Sequence, residues 1–385
     1  MRILILHNYY QHPGGEDVVF EQEKALLATT EEVFSLTFSN KKGWWGAWQT
    51  LWSPWNVWAG QRLKRAIKQY EPDIIHIHNL HYAIGPIAVR IAKRMGIPVV
   101  MTLHNYRLLC PSATLFHGGK LFTNSLYVGF PWKAVRAAVH SHSVVKTGWL
   151  AFTTWLHKKL GTWHQVDRYI TLTDFAKQLF VNSSLGLPEE KLVTKPNFVP
   201  NGFQSAERRE NHFLFIGRLT QEKGVEILLD TFAGTDYELR VVGDGPLRGK
   251  VVETSQRHPN ITYLGTLGRA AISKQLATCS ALVFPSVWYE GMPMTLIEAF
   301  AAGTPVIASN LGAMASMVHE GQNGWRFIAG DAADLRQKVE QWLMTDNAFK
   351  QQISKQAQEE YNRHYTVEQN RLLLLSIYHS TTATA

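Results

Sequence analysis

Short apolar segments rich in isoleucine and valine alternate with longer segments of helical periodicity along most of the chain. Continuous apolar strands are typical of parallel sheets covered on both faces, and the intervening helices indicate repeated βαβ units. The clearest predicted strands are Ile3–Leu6, Asp73–His78, Pro98–Leu103, Arg168–Leu172, Phe213–Ile216, Leu239–Val242, Ile261–Tyr263, Ala281–Phe284 and Pro305–Ala308. The pattern predicts an α/β fold.

A break in this pattern divides the chain. Lys195–Phe203 holds two prolines, two asparagines and a glycine, which disfavour both helix and central strand. For 385 residues, two domains are expected. We therefore predict a first Rossmann-like domain over 1–195 and a second over 204–361, with a leucine-rich helix over about 362–380 that can pack on either domain, including back on the first.

Bulk composition narrows the class of protein. A hydrophobic fraction of 45% and a charged fraction of 18% are ordinary for a folded chain. Cys110 and Cys279 are far apart and form no disulfide framework, and the apolar run at Met1–His7 is too short for a signal-peptide core. No apolar stretch reaches the length of a membrane span. These features predict a cytoplasmic protein.

Charge and tryptophan are concentrated in the first half. Residues 1–195 hold 22 basic and 12 acidic side chains, whereas residues 196–385 hold 17 and 19. Ten of the thirteen tryptophans also lie in the first half. A basic half fits a nucleic acid, a phosphorylated ligand, an anionic membrane surface or a solvated face without a partner, and charge alone leaves these open.

The first chemical motif follows the strand Phe213–Ile216. Gly217-Arg218-Leu219 opens a loop that continues through Lys223-Gly224 into a helix predicted from about Val225. Two cations near a helix N-terminus can bind a diphosphate and stabilise its charge as it leaves. An ordinary solvated turn is the alternative for this loop taken alone.

The second motif holds two carboxylates eight residues apart. Glu290 lies in the predicted loop after Ala281–Phe284, and Glu298 lies in or near the start of the next helix. A carboxylate accepts two hydrogen bonds and so suits paired sugar hydroxyls, while backbone N–H groups of Met292–Thr295 would face an anion. A solvated glutamate pair is the alternative, but the apolar neighbours of Glu298 disfavour it.

Together these motifs resemble glycosyltransferase family four. The resemblance is carried by Gly217-Arg218-Leu219, Glu222-Lys223-Gly224, Val241–Pro246, Pro285-Ser286, Glu290-Gly291, Glu298 and Gly303–Ile307, and more sparsely by Pro13–Glu16, His104-Asn105-Tyr106 and Ile170–Thr173. It implies the GT-B fold, with two Rossmann-like doubly wound domains facing a deep cleft, the first domain (1–195) binding the acceptor and the second (204–361) binding the nucleotide sugar. It also implies retention of configuration at the transferred sugar.

The resemblance implies the site residues as well. The implied catalytic residues are His104, Arg218, Lys223 and Glu290. Arg218 and Lys223 would bind the donor diphosphate, Glu298 the ribose, and Glu290 and His104 the transferred sugar. The remaining implied donor-binding positions are Gly14, Gly15, Gly217, Gly243, Leu264, Gly291, Met292, Pro293, Met294 and Thr295. Gly14 and Gly15 would let the first-domain loop approach the phosphates, and Gly243 and Leu264 would lie near the base.

Some expected features are missing. The acidic residue usual near position 316 is replaced by Ser316, so no donor contact is expected there. No Asp-x-Asp occurs, which agrees with a mechanism that needs no metal and no cofactor beyond the nucleotide sugar. His76, His78 and His81 resemble a metal cluster, but a histidine pair at a strand end is the preferred interpretation because no acidic or cysteine partner is evident.

The predicted function is transfer of a hexosyl or N-acetylhexosaminyl group to a glycan or lipid-linked acceptor in polysaccharide or lipopolysaccharide biosynthesis. An epimerase of the same fold and a transferase with a small soluble acceptor are alternatives. A dehydrogenase is disfavoured because the glycines of Gly243–Gly249 have the wrong spacing for a dinucleotide fingerprint. A nucleic-acid-binding module lacks any supporting signature.

Two aromatic and basic segments predict peripheral attachment to the inner face of a membrane. Trp44–Trp58 holds six tryptophans and precedes Arg62, Lys64, Arg65 and Lys68, and Trp132–Trp163 repeats the mixture. Tryptophan is enriched at membrane interfaces, and each basic residue near an anionic surface adds about 1 kcal/mol. Packing in the core, or stacking on a soluble acceptor sugar, is the competing interpretation.

Overall fold

The computed structural model describes residues 1–10, 14–200, 202–203 and 209–383. Pro13 of the first glycine motif, Asn201 of the predicted hinge and Gln204, the predicted start of the second domain, lie outside the described residues. The chain divides into two units. The first unit comprises Met1–Leu115, Phe122–Pro196 and Asn370–Ala385, and the second comprises Phe116–Leu121 and Asn197–Gln369.

The elements alternate between strand and helix from the start. From the first strand to Thr194 they are β1 (Arg2–Tyr9), α1 (Gly15–Leu27), β2 (Glu32–Ser39), α2 (Gly43–Trp52), α3 (Val57–Tyr70), β3 (Ile74–Ile77), α4 (Ile87–Arg94), β4 (Val99–Leu103), β5 (Phe116–His117), β6 (Lys120–Leu121), α5 (Trp132–Arg136), α6 (Val144–Lys159), β7 (Arg168–Thr171), α7 (Asp174–Val181) and β8 (Leu192–Thr194). Strands β5 and β6 form a small antiparallel pair grouped with the second unit.

The remaining elements repeat the alternation. They are β9 (Phe213–Ile216), α8 (Val225–Phe232), β10 (Leu239–Val242), α9 (Arg248–Arg257), β11 (Ile261–Gly265), α10 (Arg269–Thr278), β12 (Ala281–Phe284), α11 (Met294–Ala301), β13 (Val306–Ser309), α12 (Gly312–Met317), β14 (Gly324–Phe327), α13 (Ala332–Met344), α14 (Asn347–His364) and α15 (Val367–Ala383).

Each unit is built on one six-stranded parallel sheet. The strand order is β2-β1-β3-β4-β7-β8 in the first unit and β11-β10-β9-β12-β13-β14 in the second. The central strands are buried along their whole length, because helices cover the sheets. The predicted α/β fold with two doubly wound sheets is confirmed.

All nine predicted strands are present, with ends that differ by a few residues. The prediction omitted β2, β8 and β14, which lie at sheet edges, and the short pair β5 and β6. Strand β2 is half-exposed along its length and alternates apolar with polar side chains, unlike the continuous apolar runs of the central strands.

The C-terminal helix α15 belongs to the first unit from Asn370 onward. Leu374, Ile377 and Tyr378 pack in one buried cluster with Ile3 and Ile5 of β1. The Tyr378 hydroxyl lies 2.6 Å from Nδ1 of His76 on β3. Among the described residues, no helix has both the length and the apolar character needed to cross a bilayer.

Candidate active site

The second-unit candidates gather at the carboxyl edge of its sheet. Arg218 follows β9, Gly243 follows β10, and Glu290 lies in the loop after β12. In open parallel sheets this edge is where ligands bind. Gly243 has φ +140°, and a Cβ atom there would lie 1.8 Å from the Gly217 carbonyl oxygen, so the backbones of the two loops touch.

Lys223 is part of a compact polar cluster formed by the loops after β9 and β12. Its Nζ lies 2.7 Å from Oε1 of Glu290, and the Ser286 hydroxyl donates to the same oxygen at 2.6 Å. The Glu222 carbonyl accepts from the Val287 N–H at 2.9 Å. Both charged side chains are largely buried, which strengthens their attraction relative to water. The predicted diphosphate cation and the predicted sugar carboxylate are therefore partners.

A glycine allows these loops to meet. Gly224 has φ +70° and separates the single turn at Gln221–Lys223 from α8. A Cβ atom at Gly224 would lie 1.9 Å from the Pro285 carbonyl oxygen. Ser286 lies within the motif that carries the family resemblance, and its hydroxyl holds Glu290 in place, a role that the sequence pattern did not reveal.

Arg218 is much more exposed than Lys223, with a side chain 65% accessible to solvent. It makes an ion pair with Glu222 at 3.3 Å. Exposed pairs of this kind contribute little to stability, about 0–1 kcal/mol, so the guanidinium can turn toward an anionic ligand at small cost.

Glu298 lies within α11, four residues after its start. Burial raises the pKa of its carboxyl to about 7, and the nearby Arg269 guanidinium partly opposes that rise. Because this pKa lies near pH 7, hydroxyl groups that donate to the carboxyl can shift it to its charged form, as ribose binding by Glu298 requires. Leu264 lies in β11, and the adjacent Tyr263 hydroxyl donates to the Gly243 carbonyl at 2.9 Å.

The loop from Gly291 leads into the N-terminus of α11. Pro293 is the residue before the helix, and no side chain caps it. Proline has no N–H, so Pro293 adds no backbone donor to the predicted Met292–Thr295 group. Met292, Met294 and Thr295 remain as backbone donors near the helix start.

In the first unit, His104 directly follows β4 and contacts His78, which directly follows β3. Nδ1 of His78 and Nε2 of His104 are 3.1 Å apart. Burial lowers the pKa of His104 to about 4, so the ring is neutral near pH 7. The two rings line a small cavity with Glu16 and Asn105, at the carboxyl edge of the first sheet.

A buried acidic residue lies behind these histidines. Lys195 donates to Oε1 of Glu23 on α1 at 2.6 Å, and Oε2 of Glu23 lies 3.4 Å from Nε2 of His78. Burial raises the pKa of Glu23, but the Lys195 ammonium together with His76 and His104 lowers it, and the pKa lies below its usual range. The expectation of no acidic partner for the histidines is therefore wrong. Glu23 carries no sequence signal beyond its place in an amphipathic helix.

The geometry of this cluster argues against a cation. Ligand atoms of Glu23, His76 and His78 lie within 4.8 Å of one another. However, one His76 nitrogen is 2.7 Å from the Thr102 hydroxyl and the other is 2.6 Å from the Tyr378 hydroxyl. The Lys195 ammonium already neutralises Glu23. We interpret the cluster as a hydrogen-bonded network.

Gly14 and Gly15 lie at the start of α1, where Gly14 is the N-cap and Gly15 the first helical residue. The Gly14 N–H donates to a carboxylate oxygen of Asp17 at 2.8 Å, and the other oxygen is 2.8 Å from Nε2 of His7. Among the described residues, no atom lies within 4 Å of where a Cβ atom at either glycine would be.

The sequence matches two known families. Residues 40–201 match the model of Glycosyltransferase Family 4, and residues 201–360 match that of Glycosyl transferases group 1. An uncharacterized glycosyltransferase of Methanocaldococcus jannaschii is 30% identical over 158 residues, which cover 39% of this chain and 44% of that protein. The chain thus spans less than half of that relative.

Longer matches cover most of the chain. Glycogen synthase of Mycobacterium tuberculosis is 26% identical over 350 residues, 84% of this chain and 73% of that protein. The crystal structure of Anabaena HepE in complex with UDP and glucose superposes with a TM-score of 0.68 at 18% identity, covering 99% of this chain and 100% of that one. The chain therefore belongs to the family four glycosyltransferases and has the GT-B fold.

Proposed function

We propose that this glycosyltransferase is retaining and metal-independent, and moves a hexosyl or N-acetylhexosaminyl group from a nucleoside diphosphate sugar. The Lys223–Glu290 pair beside the exposed Arg218 carries the proposal. It brings together cations for a diphosphate and a carboxylate for sugar hydroxyls, at the edge of the sheet where ligands bind.

In the proposed reaction, the bond between the sugar C1 and the diphosphate oxygen breaks, and both electrons remain on that oxygen. Arg218 and Lys223 stabilise the charge that develops on the diphosphate. The acceptor oxygen bonds to C1 on the face that the diphosphate leaves, so the anomeric configuration is kept. The acceptor's proton passes to the departing phosphate oxygen, which balances the reaction.

UDP-glucose is the first donor to test, because HepE was crystallised with UDP and glucose and superposes over nearly the whole chain. A donor at 100 times its Kd should stabilise the protein by about 2.7 kcal/mol in a thermal-shift panel of nucleotide sugars. UDP release that requires acceptor, persists in EDTA and gives a product of unchanged anomeric configuration supports the proposal. An inverted product, or epimerised sugar without acceptor, contradicts it.

We further propose that the acceptor is lipid-linked, for polysaccharide or lipopolysaccharide synthesis, and that the protein acts at the cytoplasmic face of a membrane. No residue of α2 is buried, and Trp44 and Trp45 are 72% and 67% exposed. Core packing, the competing interpretation, therefore does not explain these tryptophans. The tryptophans of the second aromatic segment differ in solvent exposure. Trp132 is exposed, whereas Trp163 is a core residue.

A further inference from the structure

A large cavity in the first unit lies apart from Gly14, Gly15 and the histidines already described. Its volume is about 810 Å³, within the usual range for ligand pockets. Asn40, after β2, and Tyr10, after β1, lie on its wall. The cavity therefore opens at the carboxyl edge of the first sheet, the same edge that carries His104.

Two helices begin at this cavity. Residues of α2 from Gly43 to Leu51 line one side, and residues of α6 from Val145 to Leu150 line the other. Neither helix has an acidic residue in its first turn, and no side chain caps α2. The Trp149 indole N–H donates to the Thr50 carbonyl at 2.6 Å, which ties the two walls together.

The charge on the cavity wall has one sign. Lys41, Lys42 and Lys146 are lining residues, and the described lining includes no aspartate or glutamate. His140 adds no charge near pH 7, because burial lowers its pKa to about 4. Three ammonium groups and two helix N-termini without acidic first turns create a positive potential suited to phosphate.

Part of the remaining wall is apolar. Leu51, Val145, Trp149 and Leu150 line the cavity beside the lysines, and Val145 is 82% exposed. The exposed tryptophans of α2 continue this apolar character outside the cavity. A free sugar phosphate would use the lysines but not this surface, whereas a lipid phosphate uses both.

A chain of hydrogen bonds joins the cavity to the predicted reaction centre. The Tyr10 hydroxyl donates to Glu16, and the Asn105 side chain donates to the same carboxylate. Asn105 is the residue after His104. A ligand in the cavity therefore lies beside Tyr10, which is linked through Glu16 and Asn105 to the residue next to His104. His104 is the histidine predicted to contact the donor sugar.

We propose that this cavity binds the phosphorylated head of a lipid-linked acceptor. Lys41, Lys42 and Lys146 contact the phosphate oxygens, and the lipid chain lies along Val145, Leu51 and the α2 tryptophans. The proposal rests on the proposed transferase function and names the substrate class and its binding residues.

Farnesyl diphosphate, below its micelle concentration and with UDP saturating the donor site, serves as the probe in calorimetric titration of the full chain. We expect the Lys41→Glu/Lys146→Glu variant to bind about tenfold more weakly or worse, because charge-assisted hydrogen bonds give way to repulsion. The matched control is Lys274→Glu/Lys355→Glu, which reverses two exposed charges outside the cavity. It should bind as the parent does.

Val145→Asp tests the apolar wall. It should weaken farnesyl diphosphate and leave inorganic pyrophosphate unchanged, since only the former has a chain. Equal affinity of the parent and the Lys41→Glu/Lys146→Glu variant would overturn the proposal. The proposal would also be overturned if the Lys41→Glu/Lys146→Glu variant lost sedimentation with anionic vesicles but kept its affinity for farnesyl diphosphate. That result would show that the lysines belong to a membrane-adsorbing surface. UDP affinity, measured on the same samples, should not change. If the parent does not bind UDP, that result counts against the proposed function instead.

Discussion

The Lys223 ammonium lies 2.7 Å from the Glu290 carboxylate, so two groups assigned to different parts of the donor neutralise each other before the donor arrives. A diphosphate that binds the Lys223 ammonium must share this group with the Glu290 carboxylate. The Ser286 hydroxyl keeps that carboxylate hydrogen-bonded while Lys223 turns. Donor binding and the placement of Glu290 are therefore coupled through a single ammonium group.

We expect Lys223→Ala to lower kcat about 10²–10³-fold, because it removes a donor to the charge that develops on the leaving diphosphate. Initial rates over a range of donor concentrations separate kcat from KM. Lys250→Ala is the control, since Lys250 pairs with Glu226 on the exposed surface of the same unit. A kcat within a few-fold of the parent for Lys223→Ala would exclude the assigned role.

Glu298 and Glu290 are expected to bind different parts of the donor, the ribose and the transferred sugar respectively. Glu298→Gln should weaken UDP and the complete donor alike, because the ribose belongs to both. Glu290→Gln should spare UDP and weaken only the complete donor. Calorimetric titration of each variant with both ligands tests this division, and equal losses for both ligands in both variants would refute it.

The raised pKa of Glu298 predicts a proton linked to nucleotide binding. Free Glu298 is about half protonated near pH 7. Ribose hydroxyls that donate to the carboxylate stabilise its charged form, so binding lowers the pKa and releases a proton. UDP affinity should therefore rise with pH from 6 to 8. Titration in buffers of different ionisation enthalpy measures the proton, and Glu298→Gln should abolish this component.

The Glu23–His78–His104 arrangement predicts the tautomer of His104. An ionised Glu23 favours the proton of His78 on Nε2, which leaves Nδ1 of His78 to accept from Nε2–H of His104. His104 then presents an unprotonated Nδ1. Nitrogen-15 shifts of the histidine rings report this directly, with His104→Gln for assignment. The opposite tautomer in the parent, or an unchanged His104 spectrum in Glu23→Gln, would contradict the prediction.

Membrane attachment is expected to depend on the exposed face of α2. Trp44→Ser/Trp45→Ser should reduce sedimentation with anionic vesicles at low salt, and added salt should weaken the parent because exposed charges are screened. Met344→Ser changes an even more exposed apolar side chain in the second unit and should have no effect. Lys158 is a poor choice for charge reversal, because its ammonium donates to the Ser184 carbonyl. A parent that stays in the supernatant refutes the attachment.

Continuous apolar strands such as Phe213–Ile216 were predictable because burial on both faces requires them. Edge strands such as β2 were not, since one exposed side permits a mixed composition. The loop positions of Arg218, Lys223 and Glu290 followed from spacing. The contact between Lys223 and Glu290 joins residues 67 positions apart and depends on which strands are neighbours, which spacing along the chain does not reveal.

Burial of individual side chains was the least predictable property. Trp45 and Trp163 lie in similar aromatic and basic surroundings in the sequence, yet one is exposed and the other is in the core. Glu23 was missed for the same reason, because its partners Lys195 and His78 come from distant segments. Solvent exposure is decided by the packing of whole elements, not by local composition.

The return of α15 to the first unit determines the order in which the chain can mature. Leu374 and Tyr378, which share a buried cluster with Ile3 and Ile5, are synthesised only after the second unit. Until then this apolar cluster is incomplete, and His76 lacks the hydroxyl of Tyr378. The residues of the second unit, encoded between, are all available earlier. A chain truncated before α15 therefore leaves part of this apolar cluster exposed to solvent, although the residues assigned to donor binding are all present.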